Sequence, residues 1–208
     1  MTRDLRICFV GDSFVAGVGD PLCLGWAGRL TARAFADGQP VTAYNLGVRR
    51  QTSADILARW QDECAQRLQE GDDLRVVLSF GVNDATGEHG RTRVPAEESS
   101  ANLARMLDQA GARGWSVLVV APPPIHDVEH NARTAALDER FADICRTASV
   151  PYAPVHHPLR DSAAWMHEVR TGDGAHPAAA GYDAITTLIT PHWQTWLTPA
   201  HSTERPSR

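Results

Sequence analysis

The sequence predicts an α/β fold built on a mostly parallel sheet. Three observations carry this. Short apolar runs alternate with longer helical patterns along the chain. The runs are continuous in hydrophobicity rather than alternating, as expected of parallel strands covered on both faces. Strand–helix alternation implies right-handed crossovers, and such crossovers make sequential strands parallel.

The expected strands are 7–10, 41–46, 76–80, 117–120 and, more weakly, 152–155. Between them run helical stripes. The segment 25–35 reads as a first helix. Ile56, Trp60, Cys64 and Leu68 recur at every fourth position and mark one buried face. Leu103, Met106, Leu107 and Ala110 mark the next, and Leu137, Phe141, Ile144, Cys145 and Ala148 a third. A last helix starts near Pro177, a favoured first-turn residue, and carries Tyr182, Ile185, Leu188 and Ile189. Pro191 is expected to kink or end it, with Trp193, Trp196 and Leu197 beyond. Five such strands suggest the flavodoxin-like order 2-1-3-4-5. With no linker or repeat in view, residues 1–197 read as one domain. The polar stretch 198–208 reads as a disordered tail.

A chain of 208 residues, 43% hydrophobic, can bury a substantial core. Its net charge of −5 is spread among mixed signs, which argues against a nucleic-acid partner. All twenty basic residues are Arg. That excludes a Schiff base, a lysine general base and a phosphate-loop lysine. The cysteines at 8, 23, 64 and 145 form no CxxC pair and read as buried free thiols of a reducing compartment. The apolar stretch near the N-terminus is too short for a signal segment or a membrane span. The chain therefore reads as cytoplasmic.

In open α/β sheets, ligands gather beyond the carboxyl ends of the strands. Four such loops carry reactive residue types: Gly11-Asp12-Ser13, Asn45-Leu46-Gly47, Gly81-Val82-Asn83-Asp84 and Asp173-Gly174-Ala175-His176-Pro177. A serine hydroxyl needs a base to be nucleophilic near neutral pH. His176 can serve, with Asp173, three residues earlier on a tight turn, holding its Nδ1–H. Gly47, the Asn83 side chain and the Ser13 amide are candidate donors to a tetrahedral oxyanion. Asp12 reads as structural, hydrogen-bonding near the turn. Each block alone is an ordinary turn or helix start; their joint occurrence, each after the expected element, points to a site.

Those four blocks resemble the conserved blocks of the GDSL/SGNH hydrolases, in the same order and over nearly the whole chain. The resemblance implies a three-layer α/β/α fold and cofactor-free, metal-free hydrolysis of small-molecule esters or thioesters through an acyl-enzyme. It also implies the roles just given: Ser13, Asp173 and His176 as triad, with Gly47 and Asn83 as oxyanion donors. Phe14 departs from the family pattern, standing where Leu is usual. Acyl transfer on the same triad, or a non-catalytic module keeping the fold, are the alternatives.

Other signals compete. His126-Asp127-Val128-Glu129-His130 matches H-x-x-E-H, a zinc pattern. A helix starting near Asn131 would break the geometry zinc needs, although the loop could line the substrate pocket. His156-His157, between two prolines, reads as a solvated turn. Arg49 and Arg50, before a helix capped by Thr52 or Ser53, hint at an anionic substrate group. Trp26, Pro123, Trp165 and Met166 are candidate walls of a substrate pocket.

Overall fold

The computed structural model describes residues 3–198. Past Thr198, the tail expected from the sequence lies outside the described residues. The sheet comprises β1 (Leu5–Gly11), β2 (Val41–Gly47), β3 (Asp73–Ser79), β6 (Ser116–Val120) and β7 (Tyr152–Ala153). A small hairpin, β4 (Gly87–Glu88) with β5 (Arg91–Thr92), stands apart. All four pairings in the large sheet are parallel, in the order β2-β1-β3-β6-β7. With the hairpin set aside, this is the expected 2-1-3-4-5.

Alternation along β1 divides the core. Ile7 and Phe9 face a cluster with Trp26, Tyr182, Ile185 and Trp193. Those residues come from α2 (Gly25–Ala36) and α8 (Ala179–Leu197). Cys8 and Val10 face the opposite cluster, with Ile56, Trp60, Leu103, Met106 and Phe141. That layer is α3 (Ser53–Arg67), α4 (Ala96–Ala112) and α5 (Val128–Thr147). Successive strand side chains point to opposite faces, so one apolar run serves both layers. Each fully buried large side chain contributes about 1.5–3 kcal/mol.

Two expectations are corrected. β2 lies at the sheet edge and only Leu46 in it is buried, so its apolar run does not mean cover on both faces. Ala148 is exposed, because α5 ends at Thr147. At Pro191, expected to kink or end the last helix, α8 continues to Leu197. Burial of Trp193, Trp196 and Leu197 after it outweighs the backbone hydrogen bond lost at the proline.

The register positions the site. Gly11 pairs with Gly47 on one side and with Ser79 on the other, so three strand ends stand level.

Candidate active site

The β1 end runs directly into α1 (Ser13–Ala16), a single turn. Asp12 caps it, its Oδ1 accepting from the Phe14 amide at 3.0 Å. Gly17, at φ +78°, closes the turn. Ser13 is thus fixed on a strand-to-helix corner and is 6% exposed. The corner is packed too tightly for side chains. A Cβ on Gly47 would fall 2.2 Å from the Ala16 nitrogen, and one on Gly11 would fall 2.0 Å from the Ser79 carbonyl oxygen. Asn45 braces the same corner, donating to Val15 O at 2.7 Å and accepting from the Gly47 amide at 3.0 Å.

His176 comes from the turn before α8. Asp173 Oδ1 accepts from the Ala175 amide at 2.9 Å and the His176 amide at 2.8 Å. Asp173 Oδ2 lies 2.7 Å from His176 Nδ1. Burial alone would raise the Asp173 pKa. The hydrogen bonds from His176 and Ala175 outweigh it and hold the carboxyl at about 2. An ionised carboxylate only accepts, so Nδ1 carries the proton and Nε2 is left to accept. Ser13 Oγ stands 2.8 Å from that Nε2. Residues 13, 173 and 176, separated by about 160 positions in the chain, therefore meet in one hydrogen-bonded line.

Surrounding groups hold the line in place. The Phe14 ring lies 4.9 Å from the His176 ring, and Trp165 stacks behind Phe14 at 6.1 Å. Trp165 lies on α7 (Ala163–Thr171) and donates from Nε1 to Pro124 O at 2.9 Å. Gly19, at φ +89°, lets the Ser13 loop touch the His176 loop: a Cβ there would fall 2.5 Å from Pro177 O. Arg29, buried on α2, joins Asp20 of the Ser13 loop to Asp183 of α8. Burial would raise the Asp20 pKa, but Arg29 and the Leu22, Gly25 and Leu24 amides hold it at about 2.

The candidate oxyanion donors approach this line from β2 and the β3 end. Asn83 Nδ2 donates to Gln51 O at 3.0 Å and to Asp12 Oδ2 at 3.3 Å. The next residue, Asp84, is buried and accepts from the Ser53 amide at 2.7 Å and Ser99 Oγ at 2.6 Å, which fixes the segment against α3 and α4. Asp12 itself is buried. Burial pushes its carboxyl up to about 7, with Asp84 adding to the rise and the Phe14 amide opposing it. Among the described residues no acceptor is bonded to the Ser13 amide.

The pocket-wall expectations fare differently. Trp26 is fully buried, edge-on to Phe9 at 5.6 Å, and belongs to the core. Trp165 is equally buried and supports Phe14 instead of meeting solvent. Pro123 is buried and Met166 half-buried. Trp26 and Trp165 both belong to the core cluster on the α2/α8 side of the sheet. Arg49, the candidate contact for an anionic group, is exposed, two residues past Gly47.

The H-x-x-E-H stretch also differs from expectation. Asp127 accepts from the His130 amide at 2.8 Å and starts α5 at Val128, earlier than expected. His126 is left exposed before the helix, while His130 is buried with Nε2 2.9 Å from Val82 O. The loop does touch the His176 turn: the His126 amide donates to Gly174 O at 2.8 Å. His156 is buried on α6 (His156–Arg160), not solvated, because Val155 and Leu159 draw that turn into the core. Cys8, Cys64 and Cys145 are buried free thiols, whereas Cys23, on the loop before α2, is exposed.

Asn45, the first residue of the Asn45-Leu46-Gly47 block, braces Gly47. One group had no motif to announce it: Glu168, on α7, accepts from the Ala178, Ala180 and Gly181 amides at the start of α8. A usable signal existed for it. Pro177-Ala178-Ala179-Ala180 offers no side chain to cap α8, so a carboxylate from elsewhere was required.

The model of the GDSL-like lipase/acylhydrolase family matches residues 9–184. The chain belongs to that family. As a GDSL-type protein it is an ester-hydrolysing enzyme. An esterase, TesA, of Pseudomonas aeruginosa is 28% identical over 184 residues, covering 88% of this chain and 84% of the relative. An arylesterase of Vibrio mimicus is 24% identical, covering 83% and 80%. The GDSL architecture recurs in a solved lipase/acylhydrolase from Enterococcus faecalis, with a TM-score of 0.76 at 22% identity over 95% of this chain and 100% of that one. Among the described residues no helix is long and apolar enough to cross a membrane.

Proposed function

We propose that the chain hydrolyses carboxylic esters or thioesters of small or medium acyl groups by a serine acyl-enzyme route, acting as one catalytic domain over 1–197. Ser13 is the nucleophile, His176 the general base and acid, and Asp173 the group that orients the imidazole. The carrying observation is the continuous line from Ser13 Oγ through Nε2 and Nδ1 to the Asp173 carboxylate.

Attack of Ser13 Oγ on the acyl carbon sends the hydroxyl proton to Nε2, and the imidazolium is stabilised by Asp173. The same proton then passes to the departing alkoxide or thiolate. Water repeats the sequence on the acyl-enzyme, and the carboxylic acid leaves. The Ser13 amide, the Gly47 amide and Asn83 Nδ2 receive the oxyanion. The latter two are engaged by Asn45 and Gln51 at rest. A charged acceptor makes the stronger hydrogen bond, so exchange of partners favours the oxyanion. Arg49, exposed beside Gly47, is the candidate contact for an anionic group on the substrate.

Four unpaired thiols fit a reducing compartment, which supports a cytoplasmic location. Acyl transfer to an alcohol would use the same acyl-enzyme, and product analysis with added acceptors separates the two outcomes. Ser13→Ala is expected to cut turnover of p-nitrophenyl acetate by at least about 1000-fold, with an unchanged circular-dichroism spectrum. Undiminished turnover in the folded variant would rule out Ser13 as nucleophile.

A further inference from the structure

We propose that Glu168 is a positioning residue for His176. The inference rests on the Ser13–His176–Asp173 reading above.

The turn that carries the base is short and is held to α7 at both ends. At its start, the Gly172 amide donates to Glu168 O at 2.9 Å and the Gly174 amide to Val169 O at 3.0 Å. At its far end, two residues past His176, the Glu168 carboxylate takes over. Oε2 accepts from the Ala178 amide at 2.9 Å and the Gly181 amide at 2.6 Å, while Oε1 accepts from the Ala180 amide at 3.2 Å. One residue thus clamps both ends of the segment 172–178, by its backbone carbonyl and its side chain.

The carboxylate lies where the α8 dipole favours negative charge, and the helix has no side-chain cap of its own. Gly181 makes room for it, since a Cβ there would fall 3.0 Å from Oε2. Among the described residues no Arg or His forms an ion pair with Glu168, so its bonding is directed at this helix start. One turn earlier on α7, Trp165 backs Phe14, whose ring meets the imidazole. The same helix therefore sets the backbone entry, the backbone exit and the ring face of the base. An error of about 1 Å in a reacting group can cost on the order of 100-fold in rate.

The test compares Glu168→Ala, Glu168→Asp and Glu168→Gln with wild type, using p-nitrophenyl acetate kinetics and the downfield Nδ1 proton resonance of the Asp173–His176 pair. Glu168→Ala is expected to lose about 100-fold in kcat with KM within about 2-fold, and to lose or broaden the resonance. Glu168→Gln, which keeps an acceptor for the Ala178 and Gly181 amides, is expected to recover most of kcat and the resonance. A folded Glu168→Ala with wild-type kcat and an intact resonance overturns the proposal. If that variant does not fold, Glu168→Asp decides: it keeps the charge but falls one methylene short. Loss of kcat there supports the proposal, and wild-type kcat overturns it. Fluorophosphonate labelling of wild type separates the two readings. No label on Ser13 defeats the triad itself, whereas normal labelling with indifferent Glu168 variants defeats only the positioning role.

Discussion

The two loops that meet at the site are built in opposite ways. The Ser13 corner is buried: Ser13, Asp12, Phe14 and Val15 are enclosed, and Gly11 and Gly47 leave no room for a methyl group. The His176 turn is open: the Asp173 side chain is half exposed, and a Cβ on Gly174 would meet nothing within 4 Å. Core packing places the serine, so its position is as stiff as the sheet. Hydrogen bonds place the histidine, from Asp173 within the turn and from Glu168 and the His126 amide outside it. Damage should therefore appear as lost stability at the first loop and as lost geometry at the second.

Three substitutions sharpen that contrast. The largest expected effect concerns Asp12. Its carboxyl titrates at about 7 in the fold against an ordinary value near 4, so the native state keeps a proton that the unfolded chain has released. Its contribution is intact below about pH 4 and is lost as pH rises to 7, by on the order of 4 kcal/mol. Buried His156, held down at about 4, acts in the opposite sense over much of the same window. The readout is thus the difference between Asp12→Asn and wild type in urea unfolding, which is expected to move in favour of the variant as pH rises from 4 to 7. A difference that does not vary with pH would show that Asp12 ionises normally. Next comes Gly47→Ala, expected to cost about 3 kcal/mol through collision with the Ala16 backbone; a loss below about 1 kcal/mol would mean that the corner yields. Smallest is Gly174→Ala at φ +84°, where only left-handed strain opposes the methyl group, expected to cost about 1 kcal/mol in the same assay.

The fold was legible because apolar runs and four-residue stripes report burial directly. Strand order followed from crossover rules, and Ile56, Trp60 and Cys64 lie where periodicity put them. That Ser13, Asp173 and His176 come together was legible because strand-end loops of a parallel sheet share one rim. The failures share a physical cause. Trp26 and Trp165 were read by residue type, yet type does not say whether an aromatic faces a cleft or an adjoining layer. Glu168 acts through backbone amides, which leave no spacing signature.

The level ends of β1, β2 and β3 at Gly11, Gly47 and Ser79 have a practical consequence. Ser13 and the neighbouring strand-end groups leave the sheet at a common height, so no long excursion is needed to bring them together. The exposed hairpin 87–92 can then be lengthened, shortened or exchanged with little purchase on the serine. Re-targeting this scaffold to bulkier acyl groups should start at that hairpin and leave the three strand termini untouched.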